Sequence, residues 1–225
     1  MLSDFESERD EGEAIAQSIA ERLQQQASLD EIAVLYRINA QSRPIEEALR
    51  RHSIPYAIYG GVRFYDRKEI RDAVAYLRLL CNPQSNVDFL RCVNTPSRGM
   101  GKTSIEKLEG LARAKSLSLY EAAKEVGTEL KGKAQSGLQQ FMLLLESERQ
   151  ALHEMPAARV LERLLDKSGY LTTLRAEKTA EAQDRLENLR ELVSALDEHV
   201  TQNPEATLAD FLESVALATD IDKHQ

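Results

Sequence analysis

Downstream of Gly61, apolar residues recur every three or four positions to the end of the sequence, and no stretch keeps the two-residue period of a strand. The breaks fall at Asn82-Pro83, Thr95 to Gly101, Gly127 to Gly132, Pro156, Gly169 and Asn203-Pro204. Between them the spacing predicts helices at about 67–81, 86–93, 103–115, 118–125, 134–152, 157–168, 179–200 and 207–218. Residues 61–225 therefore read as an all-helical unit, with a frayed end at 220–225.

Upstream the pattern differs. Phe5, Ala14, Ile15, Ile19 and Leu23 mark a helix over 4–26, and residues 32–36 form a short apolar run rich in strand formers. Ser42 and Pro44 open a second helix that ends near His52, residues 56–59 suggest a second strand, and Gly60-Gly61 stops it. Helix–strand–helix–strand is the signature of an α/β sheet. Two strands cannot make a covered parallel sheet, so the sheet is expected to be incomplete within this sequence. The expected fold is mostly α: a small, incomplete α/β part at 1–60, then the helical unit at 61–225.

With 5% aromatic residues and six prolines, the composition favours helices over a strand-rich sandwich. No run approaches the length of a bilayer span, and the N-terminus is acidic, so no membrane association is expected and the cytoplasm is the expected compartment. Cys81 and Cys92 lie in apolar helical patterns and read as core residues rather than redox or metal groups. The four histidines form no ligand-spaced cluster. The net charge of −8 hides a segregation: residues 1–36 sum to −7, residues 37–115 to +7 and residues 116–225 to −8. Phosphate responds to local charge, which makes the middle segment the candidate nucleic-acid surface.

Gly101-Lys102-Thr103 has the form of a P-loop tail, but the position of that motif's first glycine is Pro96, which has a fixed φ and no N–H. The preceding residues also read as a helix end rather than a buried strand. The alternative is a helix–hairpin–helix turn over residues 94–104, built on Gly99-Met100-Gly101. There the glycines permit close approach, N–H groups of the next helix face a phosphate, Arg98 and Lys102 add charge, and Thr103 and Ser104 add hydroxyls. A simple tight turn between packed helices would use the same residues.

Three strings, in order, resemble segments of the UvrD/PcrA/Rep family of superfamily-one DNA helicases. They are residues 32–43 (IAVLYRINAQSR), residues 59–72 (YGGVRFYDRKEIRD) and residues 93–101 (VNTPSRGMG). A weaker likeness runs on through Arg185-Leu186-Glu187-Asn188-Leu189-Arg190. Met100 stands where the family has isoleucine, an apolar exchange. The resemblance implies that residues 1–60 begin the second RecA-like domain, 2A, and that 61–225 form its helical insert, 2B. It implies that Arg37 and Asn39 touch single-stranded DNA. Arg71 and Arg78, on one helix face, would meet the duplex backbone together with the Gly99–Ser104 hairpin.

The same resemblance implies a longer parent that uses ATP and Mg²⁺ to move 3′ to 5′, with 2A gripping the tracking strand. The family's ATP-handling motifs do not occur in this sequence, so this segment is expected to hold no cofactor, to bind ATP weakly and not to unwind DNA alone. DNA is the expected partner, at the nucleoid, with repair or replication proteins as further partners. A competing expectation is that the acidic helices of 116–225 form a protein-docking or regulatory surface, with DNA contact only incidental.

Overall fold

A computed structural model describes residues 4–59, 61–126 and 130–221, excluding the side chains of Val126, Asp220 and Ile221. Eleven α-helices occur among the described residues: α1 (Glu8–Gln24), α2 (Ser42–Arg51), α3 (Lys68–Cys81), α4 (Asn86–Cys92), α5 (Lys102–Lys115), α6 (Leu119–Val126), α7 (Gly132–Ala151), α8 (Ala157–Lys167), α9 (Tyr170–Glu177), α10 (Ala180–Gln202) and α11 (Leu208–Ile221). Side chains cap several starts: Ser7 accepts from the Asp10 amide, Ser85 from Asp88 and Thr179 from Ala182. The Gly60 break, most of the Gly127 break and the end at 222–225 lie outside the described residues.

Helix α3 is the axis of the larger core. Its residues Ile70, Tyr76, Leu77 and Leu79 are fully buried, and α4, α7, α8, α10 and α11 pack around it. Phe141 of α7 meets Phe89 and Tyr76 edge-to-face, at centroid separations of 5.4 and 6.1 Å. A second, smaller core holds Ala16, Ile19, Ala48, Leu49 and Ile54 between α1 and α2. These helices approach closely because a Cβ on Gly12 would stand 2.7 Å from the Pro44 carbonyl oxygen.

Among the described residues the strands expected in the 1–60 part are not formed. Residues 32–36 and 56–59 carry no strand pairing, and among the described residues no backbone hydrogen bond joins them. The physical reason is the missing partner. Ile32, Val34 and Tyr56 pack onto the smaller core, while Leu35 and Tyr59 are each 93% exposed. A strand exists only through a ladder, and apolar propensity without a neighbour leaves an extended segment. The described fold is all-helical.

Two smaller expectations change as well. Helix α9 falls where only a break at Gly169 is predicted. It is short, carries Thr172-Thr173, and is bounded by left-handed residues Gly169 and Lys178. Tertiary contact holds it, with the Tyr170 hydroxyl donating to Asp72 at 2.8 Å and Leu174 buried. Cys92 is buried as expected, but Cys81, the last residue of α3, is exposed.

The two cores meet across a polar seam. Arg43 of α2 is buried and donates to Glu191 at 2.5 Å and Glu198 at 3.1 Å, both on α10, and to Glu47 at 3.0 Å. These carboxylates hold its guanidinium pKa above the usual range against the cost of burial. Beside it, Arg67 donates to Ser42 Oγ at 2.7 Å, to the Asn39 carbonyl at 2.9 Å and to Asn188 Oδ1 at 2.8 Å.

Candidate nucleic-acid interface

The turn between α4 and α5 is built from the inside outward. Asn94 Oδ1 accepts from the amides of Arg98 (2.7 Å) and Met100 (3.2 Å), which curls the loop, and the Met100 side chain is buried beneath it. Arg98 points inward. Its Nη1 donates to the carbonyls of Cys92 (3.0 Å), Thr95 (3.1 Å) and Pro96 (3.2 Å), and its Nη2 to the Tyr76 hydroxyl (2.7 Å) and the Ser168 carbonyl (3.2 Å). The guanidinium also lies 5.3 Å from the Phe141 ring centroid. The charge expected to face a phosphate is thus spent on organising the loop, and Arg98 is a positioning residue.

Gly99 and Gly101 have different duties. Gly99 has φ +77°, and a Cβ there would stand 3.0 Å from Lys133 Cβ, so its glycine is required by the fold. Around Gly101 nothing lies within 4 Å of the Cβ position, so that face is open. Gly101 is the N-cap of α5 and its carbonyl accepts from the amides of Ser104 (3.0 Å) and Ile105 (3.1 Å). The amides of Lys102 and Thr103 have no acceptor among the described residues. Lys102 is 90% exposed, with Glu106 no nearer than 3.9 Å. An open glycine, two free N–H groups at a helix start and an exposed ammonium together suit an anion.

Residues 1–225 match the family model described as the UvrD-like helicase C-terminal domain. The chain belongs to this family. It is 42% identical over 196 residues to the ATP-dependent DNA helicase PcrA of Bacillus subtilis, covering 87% of this chain and 26% of that protein. It is likewise 42% identical over 191 residues to DNA helicase II of Escherichia coli, covering 84% and 26%. PcrA of Staphylococcus epidermidis is 35% identical over 222 residues, covering 96% and 30%. The chain thus spans under a third of the length of these curated relatives.

The other expected contacts of this UvrD-like chain do not share one face. Arg37 and Arg71 are exposed and Arg78 is half-buried, and none is in an ion pair among the described residues. Arg71 and Arg78 share a side of α3, roughly 140–160° around the axis from Tyr76, whose hydroxyl anchors the hairpin. Asn39 donates from Nδ2 to Asp184 at 3.0 Å, so its amide is already engaged with α10. Helix α4, rather than a strand, precedes the turn, and Pro96 stands within it, so Gly101-Lys102-Thr103 does not fit a nucleotide P-loop.

Three structural residues escape a reading of the sequence. Arg43 and Arg67 bridge the cores from within mixed-charge stretches that look like solvated helix faces. Gly137 sits mid-helix in α7, where a Cβ would come within 2.0 Å of the Arg98 carbonyl oxygen. A glycine inside a helical pattern was the available signal for it. Among the described residues no helix is long and apolar enough to cross a membrane.

Proposed function

We propose that this chain is the DNA-gripping part of an ATP-driven 3′-to-5′ helicase, with residues 1–60 starting the second RecA-like domain and 61–225 forming its helical insert. The two separate apolar cores, joined by a polar seam, support that division. The observation that carries the reading is the open N-terminus of α5, where Gly101, the Lys102 and Thr103 amides and the Lys102 ammonium converge. Such a surface accepts a phosphate without reading a base, which is how a motor holds duplex of any sequence.

In this reading Gly99, Gly101, Lys102, Thr103 and Ser104 contact the duplex backbone, with Arg98 holding them in place. Arg71 and Arg78 form a second, separate contact with the duplex. Arg37 and Asn39 meet the single strand, for which Asn39 must exchange Asp184 for a base or sugar. ATP and Mg²⁺ belong to the remainder of a longer protein, and no catalytic step runs through the residues described. The expected setting is the nucleoid.

Fluorescence anisotropy with a labelled duplex and a labelled single strand tests the assignment. Lys102→Ala with Thr103→Ala is expected to weaken duplex binding several-fold and leave single-strand binding unchanged. Arg37→Ala with Asn39→Ala is expected to do the reverse. Duplex affinity at low salt that ignores the first pair overturns the hairpin's role.

A further inference from the structure

Helix α7 begins at Lys131-Gly132-Lys133, in the acidic last part of the sequence, yet it folds directly against the hairpin. A Cβ on Gly99 would lie 3.0 Å from Lys133 Cβ and 3.2 Å from its carbonyl carbon, so the two backbones are in contact. One turn further, Gly137 lets the Arg98 carbonyl rest on the helix. The hairpin therefore has a cationic neighbour that linear charge counting assigns to an anionic segment.

Lys131 and Lys133 are exposed, and no carboxylate pairs with either among the described residues. Lys133 stands against Gly99, and Lys102 directly follows the open Gly101, so the starts of two helices bring exposed lysines to the hairpin. Exposed ammonium groups near one another repel, and a polyanion relieves that repulsion. Lysine is a mobile point charge that suits phosphate oxygens without demanding a base. Phosphates along one strand are spaced by roughly twice the 3.4 Å base-pair rise at most, within reach of neighbouring lysine stems.

We propose that Lys131 and Lys133 are duplex-contacting residues that extend the hairpin's grip to adjacent phosphates, so that the binding surface is shared by α5 and α7. The proposal rests on the reading of the hairpin as a duplex contact. It makes the surface continuous across two parts of the sequence with opposite net charge, and sequence-independent in what it recognises.

The test is a salt titration of duplex binding by the full chain, comparing wild type, Lys131→Ala/Lys133→Ala, Lys102→Ala and Lys115→Ala. Lys115, which pairs with Glu125 and lies about 20 Å along α5 from Lys102, serves as a distant single-charge control. Far-ultraviolet circular dichroism checks that each variant is folded. The Lys131/Lys133 pair is expected to bind several-fold more weakly, with a log–log salt slope shallower by roughly 0.9 for each phosphate no longer neutralised. If that pair matches Lys115→Ala while Lys102→Ala still weakens binding, the α7 extension is wrong and the hairpin reading stands. If Lys102→Ala is also silent, both fall. Competition by a polyglutamate peptide as effective as duplex DNA would instead assign the surface to an acidic protein partner, and overturn the proposal.

Discussion

Arg98 and Tyr76 clasp the hairpin from below: Arg98 Nη2 donates to the Tyr76 hydroxyl at 2.7 Å, and that hydroxyl donates in turn to the Thr95 carbonyl at 2.5 Å. Burial pushes the Tyr76 phenol well above its ordinary pKa, so it remains a neutral donor. The loop is thereby fastened to α3, the most buried helix of the larger core, while its outer face stays open at Gly101. Rigidity below and unsatisfied donors above are what a phosphate site needs.

Removing Arg98 strands several carbonyls at once. Arg98→Ala is expected to cost about 2–4 kcal/mol in urea unfolding, with Arg98→Lys recovering only a small part because an ammonium cannot span the same fork. Tyr76→Phe should cost about 1 kcal/mol. Duplex affinity should fall with Arg98→Ala, even though its guanidinium faces away from solvent. An Arg98→Ala protein of wild-type stability would show that the inward contacts do not hold the loop.

Gly137 and Gly110 make a matched pair inside helices. Gly137→Ala puts a methyl 2.0 Å from the Arg98 carbonyl oxygen, so the hairpin must shift, at a cost of about 1–3 kcal/mol. Gly110→Ala meets open space and should stabilise α5 by about 0.5–1 kcal/mol. Thermal or urea midpoints moving in the same direction for both would contradict the close approach.

The seam between the cores predicts a larger loss. Arg43 is buried among Glu47, Glu191 and Glu198, and Glu191 is itself buried. Arg43→Met leaves those carboxylates facing one another and is expected to cost about 3–5 kcal/mol. The double change Arg43→Met/Glu191→Leu should recover part of that loss, because one uncompensated buried charge is gone. A double variant no more stable than the single would argue against this pairing.

Much of the helical architecture was legible because amphipathic helices write their period into the chain. Seven of the helices downstream of Gly61 are anticipated within a residue or two by breaks such as Asn82-Pro83 and Pro156, and an eighth, α11, runs three residues past its expected end. What was not legible depended on distant partners. Residues 32–36 have strand composition but no neighbour to pair with, α9 is fixed by Tyr170 reaching Asp72, and Arg98 looks from its loop position like a surface cation. The Gly-Met-Gly turn was visible as a motif. Its contact with Lys133 was not, since spacing within a sequence does not encode which helix start folds against it.

Glu46 gives a pH dependence whose sign is fixed. Burial raises its pKa, opposed by donors from Ser42 Oγ (2.7 Å) and the Phe64 amide (3.2 Å). Between the ordinary carboxylate value and the raised one, the folded chain holds more proton than the unfolded chain. Its contribution to stability therefore declines as pH rises through that window and is constant above it. The stability difference between wild type and Glu46→Gln, from urea unfolding between about pH 4 and pH 8, should follow that decline. A difference that grows with pH would reverse the assignment.

The open N-terminus of α5 can be watched directly by following backbone amide resonances as a short duplex is added. The largest shifts are expected at Gly101, Lys102 and Thr103, reversed by added salt and absent with a neutral-backbone duplex analogue. Saturating duplex binding that leaves those three amides unmoved would contradict the phosphate site at the hairpin.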